Sequence, residues 1–231
     1  MTYFVLIISV FIGLMIVRLV NNLNEDAIKL LLAFSGAYLF AISVFHLIPE
    51  IYSGKSKYIG IFLLIGFILQ IILEFFSKGI EHGHGHIKSK TVPTSMLISL
   101  AIHAYLEGMP LGGIHVHGHV HENFEYSLLS AIALHKIPVT IVLMSLFTHA
   151  KFSTLKSIVL ISFFAIMAPL GILTGNLVQD IGHYHNEIMA VVVGIFLHIS
   201  TTILFENPEG HKFNIQKLVV ICIASYLAWF L

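Results

Sequence analysis

The stretch HAYLEGMP, residues 103–110, sets a histidine and a glutamate four positions apart inside an apolar segment that runs from Thr94 to Ile114. On a helix that spacing puts both side chains on one face, one turn from each other. An imidazole nitrogen and a carboxylate oxygen can then address a single ion. The segment is about long enough to cross a bilayer, where an ionisable pair is costly and marks function. A second stretch, ALHKIPVT (133–140), carries His135 inside another apolar segment. Antiparallel helices would bring His135 to the depth of His103. The donor set His103, Glu107 and His135 suits zinc and leaves Fe2+, Mn2+, Co2+, Ni2+ and Cd2+ open, since geometry and availability discriminate among these ions more than donor type does.

Each stretch also carries a proline just past its polar group. A proline removes the helical hydrogen bond to the carbonyl four residues earlier, so Pro110 is expected to free the Leu106 carbonyl beside Glu107, and Pro138 that of Leu134 beside His135. Such interruptions persist at membrane depth where they are buried in protein or line a wet cavity. The alternative is a pair of packing kinks with incidental histidines. Lys136 lies too deep to snorkel easily, so it must be paired, deprotonated or facing water. Its expected partner is Glu107, which would make the ammonium a tethered cation beside the metal.

The elements that must hold these groups are membrane helices. Of 231 residues, 57% are hydrophobic and 10% charged, against roughly a quarter charged in soluble domains. Runs such as IGIFLLIGFILQIIL are apolar on every side, which excludes the alternation of an outer-membrane barrel. Apolar runs of about 20 residues predict eight helices at 3–20, 28–48, 57–76, 94–114, 126–147, 155–177, 187–205 and 214–231. The first has no basic n-region or small-residue cleavage site and is read as a retained helix. With both termini outside, the inner loops and their flanks carry Arg18, Lys29, Lys78, Lys88, Lys90, Lys151, Lys156, Lys212 and Lys217, and the outer loops only Lys55 and Lys57. That is a positive-inside bias. The expectation is an all-α integral membrane protein with the metal site between helices 4 and 5, one transmembrane domain over residues 1–231.

A net charge of zero leaves no basic surplus for nucleic acid. A single cysteine excludes a disulfide framework. Histidine is the anomaly, with 15 copies. Residues 81–90 (EHGHGHIKSK), assigned to the cytoplasmic side, hold His82, His84 and His86. Residues 115–125 (HVHGHVHENFE), assigned to the outer side, hold His115, His117, His119 and His121. Alternating histidine and glycine suits loose, exchangeable metal capture; the plainer reading is a polar loop. His46 and Glu50, near the outer end of helix 2, fit either an outer-mouth metal site or an interfacial role. His198, mid-span in helix 7, fits a structural hydrogen bond or a ligand. Glu74 is read as solvated, Met96 and Met109 as packing, and Glu206, Glu209 and His211 as a turn that could assist metal release.

HAYLEGMPLG resembles the fourth-helix signature of the ZIP (Zrt/Irt-like) metal-ion transporters, HKIPVT their fifth-helix His-Glu-x-Pro-His-Glu motif, FHLIPE (45–50) the end of their second helix and APLG (168–171) their sixth. Eight helices, outward termini and a histidine-rich cytoplasmic loop between helices 3 and 4 also match that family. The resemblance implies a carrier that moves zinc or a related divalent ion toward the cytoplasm, with His103, Glu107 and His135 at the primary metal positions. Ala104, Lys136, Val139 and Ala168 stand where family members place ligands associated with a second ion. A single-metal site is therefore expected, its fourth ligand being water, a carbonyl or a residue of helix 2. Zinc is then the transported substrate and no prosthetic group is expected. The partners are divalent ions and the lipid bilayer, of a bacterial inner (plasma) membrane, with a homodimer left open. The competing readings are an intramembrane zinc hydrolase, which the absence of a His-Glu-x-x-His pair disfavours, and a metal exporter or sensor built on the same ligands.

Overall fold

The computed structural model describes residues 1–20, 24–54, 56–77, 92–112, 122–177, 184–205 and 215–231, without the side chains of 122–124. The histidine-rich tracts 81–90 and 115–121 and the segment 206–214 lie outside the described residues. Among those described, the regular structure is helical and there is no strand. Apolar runs with no aqueous partner for their backbone must satisfy their own N–H and C=O groups, and a helix does so locally.

In chain order the helices are α1 (Thr2–Leu19), α2 (Glu25–Ser53), α3 (Ile59–Ser77), α4 (Thr94–Gly108), α5 (Glu122–His149), α6 (Thr154–Leu177), α7 (His185–Phe205) and α8 (Ile215–Trp229). Six segments are long and apolar enough to cross a membrane: Thr2–Leu19, Glu25–Ser53, Ile59–Ser77, Glu125–His149, Thr154–Leu177 and His185–Phe205. The other two, α4 and α8, have 15 residues each. Expected as one span to residue 114, α4 stops at Gly108 and tightens into a 3-10 turn over Met109–Leu111.

Local chemistry explains the irregular points. Asn24 caps α2, its side chain accepting from the Asp26 N–H, with Glu25 and Asp26 in the positive first turn. Further along α2, Ser43–Leu47 widen into a π turn immediately before Pro49. Pro49 has no N–H to donate and its ring crowds the carbonyl four residues back, so a wider turn relieves both defects. Between α5 and α6 the chain reverses through Lys151, at φ 57°, in the left-handed region. The Phe152 N–H reaches the Phe147 carbonyl at 3.0 Å, the Lys151 N–H reaches Thr148 at 3.0 Å, and the Phe147 and Phe152 rings stack at 5.6 Å. This is the Schellman pattern with its hydrophobic contact.

The helices sort into two packed groups. In one, α3 lies along α7, and α2 packs on α7 and α8; in the other, α1 packs on α5 and α6, and α4 on α6. The groups meet where α2 faces α5 and α3 faces α4. Within each group glycines bring backbones into contact. A side chain at Gly108 of α4 would meet the Ala168 carbonyl of α6, and one at Gly171 the Tyr105 carbonyl. Gly66 of α3 and Gly194 of α7 stand in the same relation to Val191 and Leu63. Small residues at crossing points are how membrane helices gain contact area without hydrophobic drive from water.

Candidate metal centre

The close α4–α6 crossing sets the position of Glu107, which immediately precedes Gly108. One turn earlier on the same face lies His103, and its Nε2 is 2.9 Å from Glu107 Oε1. From α5, Lys136 Nζ approaches the other carboxylate oxygen, Oε2, at 3.1 Å. His135, adjacent to Lys136, turns its ring toward His103, with centroids 6.3 Å apart and planes at 85°. All four side chains are buried, and Lys136 is only 1% exposed. Such a carboxylate and ammonium are sustainable away from water only as a paired, hydrogen-bonded group. The face of Phe164 on α6 lies 4.8 Å from the Lys136 nitrogen and supplies a second, weaker partner.

His103, Glu107 and His135 form a cluster in which one ligand atom from each lies within 4.8 Å of the others. A tetrahedral zinc with bonds of about 2.1 Å holds its ligand atoms about 3.4 Å apart. Small side-chain rotations would close the set around one ion. The positions that resemble second-ion sites in sequence are filled differently: Ala104, Val139 and Ala168 are buried among apolar side chains, and Lys136 occupies the carboxylate.

The prolines act differently from one another. The Leu106 carbonyl, expected to be freed by Pro110, instead accepts from the Met109 N–H. Tightening the last turn to 3-10 geometry recovers the acceptor. Pro138 lies within a continuous α5, where Thr140 Oγ1 donates to the Lys136 carbonyl at 2.7 Å.

The remaining singled-out residues lie away from the cluster. His46, on the π turn, donates through Nε2 to the Ala228 carbonyl at 2.8 Å, tying α2 to the end of α8. Glu50, half-buried, is one turn further along α2. His198 Nε2 lies 2.7 Å from Glu74 Oε2 and its ring 5.0 Å from that of Phe67. Glu74, expected to be solvated, is thus held by α7, because an acid on an apolar helix takes the nearest donor. Met96 is packed in the core.

Two contributors escaped the sequence reading. Ser35 of α2 places Oγ 3.2 Å from His135 Nδ1, and Phe164 lies beneath Lys136. Ser35 had one usable signal, since a hydroxyl in an apolar span tends to find a polar partner on a neighbouring helix. Nothing in the spacing of Phe164 marks it.

A family model described as ZIP zinc transporter matches residues 81–230. Comparison with curated proteins finds no match. The matched region includes α4 and α5 and every member of the cluster.

Proposed function

Because the chain belongs to the ZIP zinc transporter family, whose members carry divalent metal ions across membranes and are not enzymes, we propose that its cargo is zinc, taken up toward the cytoplasm through one ion site made by His103, Glu107 and His135. The observation that carries this reading is the convergence of two imidazoles and a carboxylate from α4 and α5 in a buried place. Two nitrogens and an oxygen match the donor preference of zinc, and a fourth position open to water would let the ion enter and leave. A single ion is favoured because Lys136 already compensates one oxygen of Glu107 and apolar residues fill the neighbouring ligand positions.

In this reading all eight helices span the membrane, with both termini outside. The short α4 is extended by its 3-10 turn. The group α1, α4, α5 and α6 carries the ion, while α2, α3, α7 and α8 move against it to open the site alternately to each side. The tracts at residues 82–86 and 115–121 gather and receive ions, and His46, Glu50 and His198 act outside the primary site.

Zinc uptake into proteoliposomes tests the assignment. His103→Ala and Glu107→Ala are each expected to lower uptake by at least tenfold, and Glu107→Ala the more, because it leaves the Lys136 charge buried without its partner. Parent-like uptake from both variants would sink the route through this cluster.

A further inference from the structure

Ser35 does not belong to the helix group that carries the cluster. It sits on α2, is 2% exposed, and meets His135 Nδ1 across the seam between the two groups. One turn along the same seam, Tyr38 Oη and Ser130 Oγ are 3.0 Å apart. Both hydroxyl contacts join α2 to α5, and of the two the first touches a residue of the cluster.

The distinction matters because an imidazole offers a lone pair at only one nitrogen when neutral. If Nδ1 carries the hydrogen and donates it to Ser35, Nε2 is the ligating nitrogen; the opposite tautomer presents an N–H to the cation and repels it. Histidine ligands are commonly fixed in this way by a partner on the other nitrogen. We propose that Ser35 is a positioning residue for the transported ion: its contact with His135 Nδ1 fixes the ring orientation that turns Nε2 to a divalent cation, and it accepts the Nδ1 hydrogen once Nε2 ligates. Since Ser35 is on the opposite group, the positioning operates only while α2 lies against α5. Sliding the groups apart removes it, which lowers affinity on the side where the ion must leave. This inference rests on His135 being a ligand.

The test is zinc uptake kinetics in proteoliposomes for Ser35→Ala, Ser35→Thr, Tyr38→Phe and His135→Ala, with thermal melting of each metal-free protein in detergent. Ser35→Ala is expected to raise KM on the order of tenfold, with Vmax at or above that of the parent, because release never used the bond. Ser35→Thr keeps the acceptor and should restore KM at least in part. Tyr38→Phe removes the neighbouring contact and should leave KM as in the parent. A parent-like KM for Ser35→Ala, or an equal rise for Tyr38→Phe, would overturn the positioning role. Parent-like uptake by His135→Ala would overturn the ligand assignment together with it, whereas loss of uptake in His135→Ala with parent-like Ser35→Ala would overturn the Ser35 role alone.

Discussion

Lys136 decides how the cluster treats charge. Its ammonium lies 3.1 Å from one oxygen of Glu107 and over the face of Phe164, so an arriving divalent ion meets a carboxylate already half engaged by a fixed cation. Two unit charges about 4 Å apart interact by about 4 kcal/mol at an effective dielectric constant near 20. If the ion binds here as proposed, the lysine weakens its binding and opposes a second ion, while the carboxylate stays compensated whenever the site is empty. Lys136→Ala should lower KM for zinc and lower Vmax, because the ion is held more tightly and leaves more slowly. It should also destabilise the metal-free protein by about 3–5 kcal/mol, as removal of one partner from a buried pair does, and zinc should restore part of that loss. Uptake kinetics and melting with and without zinc check both effects; parent-like values in both would remove the lysine from the mechanism. His103, Glu107, His135 and Lys136 were legible in the sequence because helical periodicity places neighbours one turn apart and apolar surroundings make any ionisable group conspicuous. Ser35 and Phe164 were not, because which residue of a distant helix arrives opposite His135 or Lys136 is set by inter-helix register, and spacing along one helix carries no such information. Glu74 shows the same limit: its nearness to a helix end suggested solvent, but the packing of α3 on α7 supplied His198.

At the level of elements, the site depends on backbone contacts made by residues that are not themselves ligands. Gly108 and Gly171 let α4 and α6 touch, and a methyl group at Gly171 would run into the Tyr105 carbonyl of α4. Gly171→Ala should therefore push α4 outward, displace Glu107 from Lys136 and reduce zinc uptake severalfold although residue 171 binds nothing. Full uptake from this variant would show that the crossing tolerates the shift. The α5–α6 turn gives the converse case. Lys151 holds a left-handed conformation that costs a non-glycine residue roughly 1 kcal/mol, so Lys151→Gly should stabilise the protein by about that amount with uptake unchanged, as read by melting in detergent and by transport. The spans themselves were largely legible, since apolar length is a property of the chain alone; six of them are long enough by themselves to cross a membrane. The early end of α4 was less so. Pro110 announces an interruption, but whether the chain leaves a carbonyl open or tightens to recover it depends on the turn that follows, and here the Met109 N–H takes the Leu106 carbonyl.

For the molecule as a whole, the charge of the empty and loaded site fixes what drives transport. The pair Glu107 and Lys136 is neutral overall, and among the described residues the same buried cluster contains no further acid to offset a bound ion. If the group α1, α4, α5 and α6 returns empty with its imidazoles neutral, it returns with its pair intact and moves no net charge. When loaded, it carries the two charges of the ion; each proton that the ion displaces from His103 or Glu107 rides on the empty carrier and offsets one of them on the return. One charge crossing the whole membrane field is worth about 2.3 kcal/mol per 100 mV. Even a single net charge per ion would raise the attainable accumulation ratio roughly fiftyfold at 100 mV. Zinc uptake should accordingly increase when proteoliposomes are given an inside-negative potential by potassium efflux through valinomycin, and decrease when the gradient is reversed. Acidifying the outer solution from about pH 7.5 to about 5.5 should reduce uptake, because protons compete for the imidazoles of the proposed site. The two effects separate the models of coupling: uptake indifferent to potential at fixed pH would mean that expelled protons cancel the charge of the ion, and Lys136→Ala, with an uncompensated acid in the empty carrier, should then become sensitive to potential on its return step.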